Sequence, residues 1–88
     1  MAEQHDRILG YFLEEASEHL KTIEQGLRKL PETVRQPTMI RELFRAAHSI
    51  KGSAAMLGLV DVQKIGNQCE ANFRLLKEHT QIAVDSQL

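Results

Sequence analysis

The stretch AAHSIKGSAAMLGL, Ala46 to Leu59, carries the residues of this chain best able to do chemistry: His48, with Lys51 three residues on and Gly52 four residues on. An imidazole with its ordinary pKa of about 6.5 is mostly neutral near pH 7 and offers a ring-nitrogen lone pair as a nucleophile. If the stretch is helical, Lys51 shares a face with His48, and its ammonium can reach a dianionic group carried on the ring. Arg41 and Arg45 extend the positive field on the same side, and Phe44 lies among them. The chemistry this suggests is acceptance of an anionic group, a phosphoryl above all. A glycine inside a helix costs about 1 kcal/mol against alanine, so Gly52 needs an offsetting use. Helical side chains lean toward the N-terminus, so a side chain at position 52 would cover the turn that carries His48. Gly52 leaves that turn bare, and Ala55 adds almost nothing one turn further. A second protein surface can then come close to the ring.

The elements that position these residues are all helical by periodicity. A first helix is expected over about residues 5–30, with Leu9, Leu13, Ala16, Leu20, Ile23, Leu27 and Leu30 spaced in threes and fours and Ile8 and Phe12 widening the stripe. Pro31 ends it, and PETVRQP reads as a connector. A second helix, about 37–57, starts at Pro37 and runs its seam through Ile40, Leu43, Ala47, Ile50, Ala54 and Leu57. His48 points about 140° away from Leu43 on that helix, off the core side. Gly58 stands where a left-handed C-terminal cap belongs, with Leu59 able to fold back on the last turn. A third helix, about 60–79, has Asp61 in its first turn and a stripe of Val62, Ile65, Cys69, Phe73 and Leu76. Together these predict an all-α fold, an antiparallel up-down bundle with three long helices present. Asp85 and Ser86 read as the start of a fourth helix, cut short. An unfinished core of this kind exposes an apolar groove, and a homodimer of the truncated chain is the expected response.

Composition narrows the classes. With 88 residues the chain makes one domain. Its 11 Lys+Arg against 12 Asp+Glu, with few aromatic residues, exclude a nucleic-acid-binding composition. Cys69 is the single cysteine, so no intramolecular disulfide forms, and its place on the apolar stripe makes it a small hydrophobe. No metal-ligand spacing surrounds His48, and His5, His19 and His79 read as surface residues. The start MAEQHDRILGYF is no signal peptide and no run approaches the roughly 18 apolar residues of a membrane span, so the expected setting is cytoplasmic, with no membrane contact.

The segment FRAAHSIKGSAAMLGL resembles the histidine-phosphotransfer (HPt) motif, His-x-x-Lys-Gly followed by small residues and a glycine-apolar step. LFRAAHSIKG, together with ILGYFLEEASEHLKTIEQGLRKL, is similar in particular to the N-terminal HPt domain of chemotaxis-type (CheA-like) histidine kinases, over roughly residues 6–80. The resemblance implies a four-helix bundle whose histidine takes a phosphoryl group from an ATP-dependent histidine kinase catalytic domain and passes it to an aspartate of a response-regulator receiver domain. His48 matches the phosphoacceptor, Lys51 the motif lysine, and Gly52 the glycine that permits approach. The family's His-x-x-Glu element, whose glutamate bonds the inner ring nitrogen, corresponds to NQCE: Glu70 matches the glutamate, while Asn67 replaces the histidine. Arg41, Phe44 and Arg45 are the expected partner-binding residues. On this reading residues 1–88 are a single HPt domain, an N-terminal piece of a larger kinase, which binds no cofactor and supplies no independent catalysis; ATP and Mg are used by partner domains. The competing expectation is a purely structural dimerisation module in which His48 is incidental.

Overall fold

In the computed structural model the backbone is described for residues 2–87 and the side-chain surroundings for residues 3–79 except His5, so the expectation for His5 lies outside the described residues. The helices are α1 (Ala2–Arg28), α2 (Leu30–Thr33), α3 (Pro37–Met56) and α4 (Val60–Gln87). The fold is all-α, with the expected three long helices.

Helix α1 starts at Ala2 and not near residue 5, and two further boundaries differ from the periodicity, each for a backbone reason. First, α1 stops at Arg28, and Lys29 turns the chain with φ −114° and ψ 41°. Pro31 has no N–H to offer the Leu27 carbonyl and its ring would collide with it, so the helix cannot run on. The connector is not irregular throughout, because Pro31 sits in the first turn of α2. Thr33 closes this turn: it is fully buried, and its hydroxyl lies 2.8 Å from the Gly26 carbonyl and 3.0 Å from that of Lys29. Second, α4 does not end near His79 but continues through Gln87, so Asp85 and Ser86 belong to it and start no new helix. The apolar stripe thins there, yet residues 67–88 contain no glycine or proline to break the helix.

Between α3 and α4 the turn is as expected. Gly58 has φ +73°, the left-handed conformation that costs a residue without Cβ least. Its N–H donates to the Ala55 carbonyl at 3.2 Å and that of Leu59 to the Ala54 carbonyl at 2.9 Å, the paired bonds that satisfy the last carbonyls of α3. So short a turn returns α4 antiparallel along α3.

Helix α3 is the centre. Ile40, Leu43, Ala46, Ala47, Ile50 and Ala54 on it are buried. Leu43 and Ala47 join Phe73 of α4 in the core, with Ile23, Phe44 and Cys69 packed around them. Among the described residues α1 and α4 each pack on α3 and make no close approach to one another, which leaves the bundle open on that side. The stripe of α1 is accordingly only half used. Phe12 is buried, whereas Leu13 and Leu20 are 57% exposed and Leu27 is 49% exposed. Phe73, by contrast, belongs to the core and not to the open side.

Two glycines set how closely the helices approach. A Cβ on Gly26 would lie 2.5 Å from a methyl of the buried Leu43, and a Cβ on Gly66 would lie 3.1 Å from Lys51 Cβ and 3.2 Å from its Cα. The second contact is backbone against backbone and seats α4 beside the residues around His48. Replacing Gly66 with leucine is therefore expected to lower stability by about 1–3 kcal/mol despite the better helix propensity, read as a lower urea midpoint. A midpoint at or above that of the parent would show that α4 can slide away from α3 without loss.

Candidate functional site

The site is assembled across the α3–α4 seam. His48 projects from α3 with its side chain 62% exposed, while Glu70 of α4 lies beneath it with a side chain only 8% exposed. His48 Nδ1 is 3.2 Å from Glu70 Oε2, and Lys51 Nζ is 2.7 Å from the same oxygen. Arg74, one turn further along α4, reaches Glu70 Oε1 with Nη2 at 3.4 Å. The two oxygens of one buried carboxylate thus gather three nitrogen donors.

The protonation states follow. The Lys51 ammonium bonded to Glu70, with the hydrogen bond from His48 as a lesser cause, holds its carboxyl below the usual carboxylate range against the opposing effect of burial. An ionised carboxylate only accepts, so Nδ1 must carry the proton that it donates to Oε2. That tautomer leaves the lone pair on Nε2. Nε2 has no hydrogen-bond partner among the described residues. Phe44, one turn before His48, stacks on the ring with centroids 6.3 Å apart and planes 9° from parallel. The guanidinium of Arg74 lies over the Phe44 ring at 5.5 Å, so imidazole, phenyl and guanidinium form one connected stack.

The residues singled out in the sequence divide between surfaces. Gly52 and Ala55 are exposed, and a Cβ on Gly52 would meet nothing within 4 Å, so the approach to His48 is open. Arg41 and Phe44 line a recess on the α4 side together with Arg74 and Lys77. Arg45 does not join them; it lines a separate recess on the α1 side with His19, Thr22 and Glu42, where His19 is half-buried. Asn67 makes no hydrogen bond to His48 or Glu70 and borders a third recess with Lys51, Val60, Gln63 and Lys64. Sequence reasoning missed Gly66 and Arg74. The i to i+4 spacing of Glu70 and Arg74 was a visible signal for the second. Gly66 had none, because the weak stripe of α4 does not say which face meets α3. Among the described residues no group of three or more His, Cys, Asp or Glu side chains comes together for a metal, and no helix is long and apolar enough to cross a membrane.

The site thus pairs an imidazole with a carboxylate on adjacent antiparallel helices, beside an open glycine. Among known families, the model described as Hpt domain matches residues 7–88. The chain belongs to the Hpt domain family. Hpt domains are histidine-phosphotransfer modules of two-component signalling. The chain is similar to the chemotaxis protein CheA of Rhizobium meliloti (strain 1021), 35% identical over 74 residues, which is 84% of this chain and 10% of that protein. It is also 35% identical over 63 residues to CheA of Listeria monocytogenes, covering 72% of this chain and 10% of the relative. With CheA of Borreliella burgdorferi it shares 29% over 75 residues, 85% of this chain and 9% of the relative. This Hpt domain therefore spans about a tenth of the length of the curated relatives that it matches. No solved structure matches the chain.

Proposed function

We propose that this Hpt domain is a phosphocarrier in which His48 takes a phosphoryl group on Nε2 from an ATP-dependent kinase domain and yields it to an aspartate of a receiver domain. The observation that carries the reading is the Glu70 carboxylate bonded to Nδ1 at 3.2 Å, with Lys51 on the same oxygen. In the uptake step the Nε2 lone pair forms the N–P bond while the bond from the γ-phosphorus to the bridging oxygen breaks and ADP leaves. The ring becomes a phosphorylated imidazolium with its proton still on Nδ1, and the buried carboxylate stabilises the positive charge as it develops. In the return step a carboxylate oxygen of the receiver attacks phosphorus and the N–P electrons return to Nε2. The chain supplies the nucleophile and its orientation; ATP, Mg²⁺ and the acceptor pocket belong to the partners. By this reading residues 1–88 are a piece of a larger chemotaxis-type kinase acting in the cytoplasm. Incubation with the catalytic domain of such a kinase and γ-labelled ATP tests it: the expected product carries an acid-labile, base-stable label, and no label at all overturns the proposal.

Gly52 tests access. Glutamine at that position finds open space and gains helix propensity, so the fold is expected to be as stable as the parent or more so by up to about 1 kcal/mol. Transfer to a receiver should nonetheless slow, because the new side chain covers the turn of His48. Undiminished transfer, measured by loss of label from the purified phosphorylated domain, would show that the glycine does not serve access.

A second, compatible reading is self-association, favoured by the exposed row Leu13, Leu20 and Leu27, which repeats every seven residues along α1. Such a row buries itself well against a like row. Sedimentation at micromolar concentration is expected to give a mass near twice the 10.0 kDa of the chain, and to fall back to the monomer on Leu20→Glu. A monomeric parent would leave the open side of the bundle without this role.

A further inference from the structure

The recess lined by Arg41, Phe44, Arg74 and Lys77 lies one helical turn from the phosphoacceptor and has a composition of its own. Among the described residues three cations and the Phe44 ring line it, and no acidic residue does. Glu70, the carboxylate that Arg74 reaches, also accepts from Lys51 and His48. We propose that this recess is the docking surface for an acidic protein segment whose carboxylates bracket an apolar side chain. The inference deepens the phosphocarrier reading and rests on it for what the docked partner does next.

The shape of the site favours that occupant. Arg41 and Lys77 are exposed, and Arg74, though it touches Glu70 at 3.4 Å, keeps a side chain 59% exposed. A guanidinium has five N–H donors, so Arg74 can hold Glu70 and still present a fork to an incoming carboxylate. An apolar side chain seated between the cations would cover the part of Phe44 left open. A nucleotide fits less well, since the Phe44 ring is already stacked with His48 and overlain by Arg74, which leaves little free face for a planar base. The charges of α1 and α3 point the same way, since α3 carries Arg41, Arg45 and Lys51 against Glu42 alone. Helix α1 carries Glu3, Asp6, Glu14, Glu15, Glu18 and Glu24 against Arg7, Lys21 and Arg28, an excess of three acids. An acidic partner is repelled from α1 and drawn to the α3–α4 face, and a segment docked there reaches the ring of His48 from Phe44.

The test is a chemical-shift titration of the unphosphorylated 88-residue chain with the peptide acetyl-DDLDD-amide, against acetyl-KKLKK-amide and Mg·ATP. Saturating shifts at Phe44 and Arg74 with the acidic peptide alone are expected. The double variant Arg41→Glu, Lys77→Glu should weaken binding by about tenfold or more, and Arg41→Gln, Lys77→Gln by a smaller factor in the same direction. Binding should also fall as salt rises from low to physiological strength. The proposal is overturned if the acidic peptide causes no saturating shift, if reversing the two charges leaves its affinity unchanged, or if the basic peptide or Mg·ATP binds the same residues more tightly. No kinase domain is present in the titration, so its failure leaves label uptake at His48 intact. A failure of label uptake likewise leaves the titration readable.

Discussion

Replacing His48 with glutamine is expected to abolish phosphoryl uptake while leaving the far-ultraviolet helical signal and the urea midpoint within about 0.5 kcal/mol of the parent. The two halves of this expectation have separate causes. Glutamine has no free nitrogen lone pair to attack phosphorus, since its amide nitrogen is conjugated with the carbonyl, whereas its N–H₂ group can still donate to Glu70. The fold barely notices, because the imidazole is 62% exposed and stacks on Phe44 outside the buried core. Label retained by the variant would place the phosphoacceptor elsewhere, and His19 and His79 would be the first to test. A variant that lost label and melted early would mean that His48 was a packing residue after all.

Removal of the carboxylate should slow uptake without stopping it. For Glu70→Ala we expect a fall of about 10–100-fold in the rate of labelling, the usual scale for losing a group that orients and charges an imidazole. The nucleophile is still there, but the ring is free to rotate and to shift its proton from Nδ1 to Nε2, which takes the lone pair away from the attacking position. Ring ¹⁵N shifts read this directly, and an unchanged tautomer together with an unchanged rate would reduce Glu70 to a structural residue. Stability gives an independent readout. Because Lys51 and His48 hold the folded pKa of Glu70 below its unfolded value of about 4.3, the contribution of the ionised carboxylate to stability is fully present above that value. It is lost as pH falls through the lower, folded value. The difference in Tm between parent and Glu70→Ala should therefore be largest near neutrality and shrink below about pH 4.

Much of this site was legible because it is local. His48, Lys51 and Gly52 sit at i, i+3 and i+4 of one helix, and helix geometry alone puts them on one face whatever packs nearby. The same holds for the seam of α3 from Ile40 to Ala54, all of it buried as its spacing requires, and for Gly58, whose φ of +73° answers to a need of the backbone at that point. Glu70 was reached by resemblance to a motif.

What the tertiary structure decided is how the helices are turned against one another. A hydrophobic stripe states which residues could be covered, but coverage depends on the neighbours available, and α3 is the only long helix that either α1 or α4 touches among the described residues. So Phe12 is buried while Leu13, Leu20 and Leu27 are left open, and Ile65 on the stripe of α4 is 63% exposed. The face of α4 that meets α3 is chosen instead by Gly66, the position where the Lys51 backbone can be approached to about a Cβ contact. That choice brings Glu70, one turn on, under His48 and Lys51, and sets Arg74 over Phe44. Spacing along a helix is a property of the chain; the rotation of one helix upon another is settled by close packing between residues far apart in sequence, and periodicity alone carries no record of it.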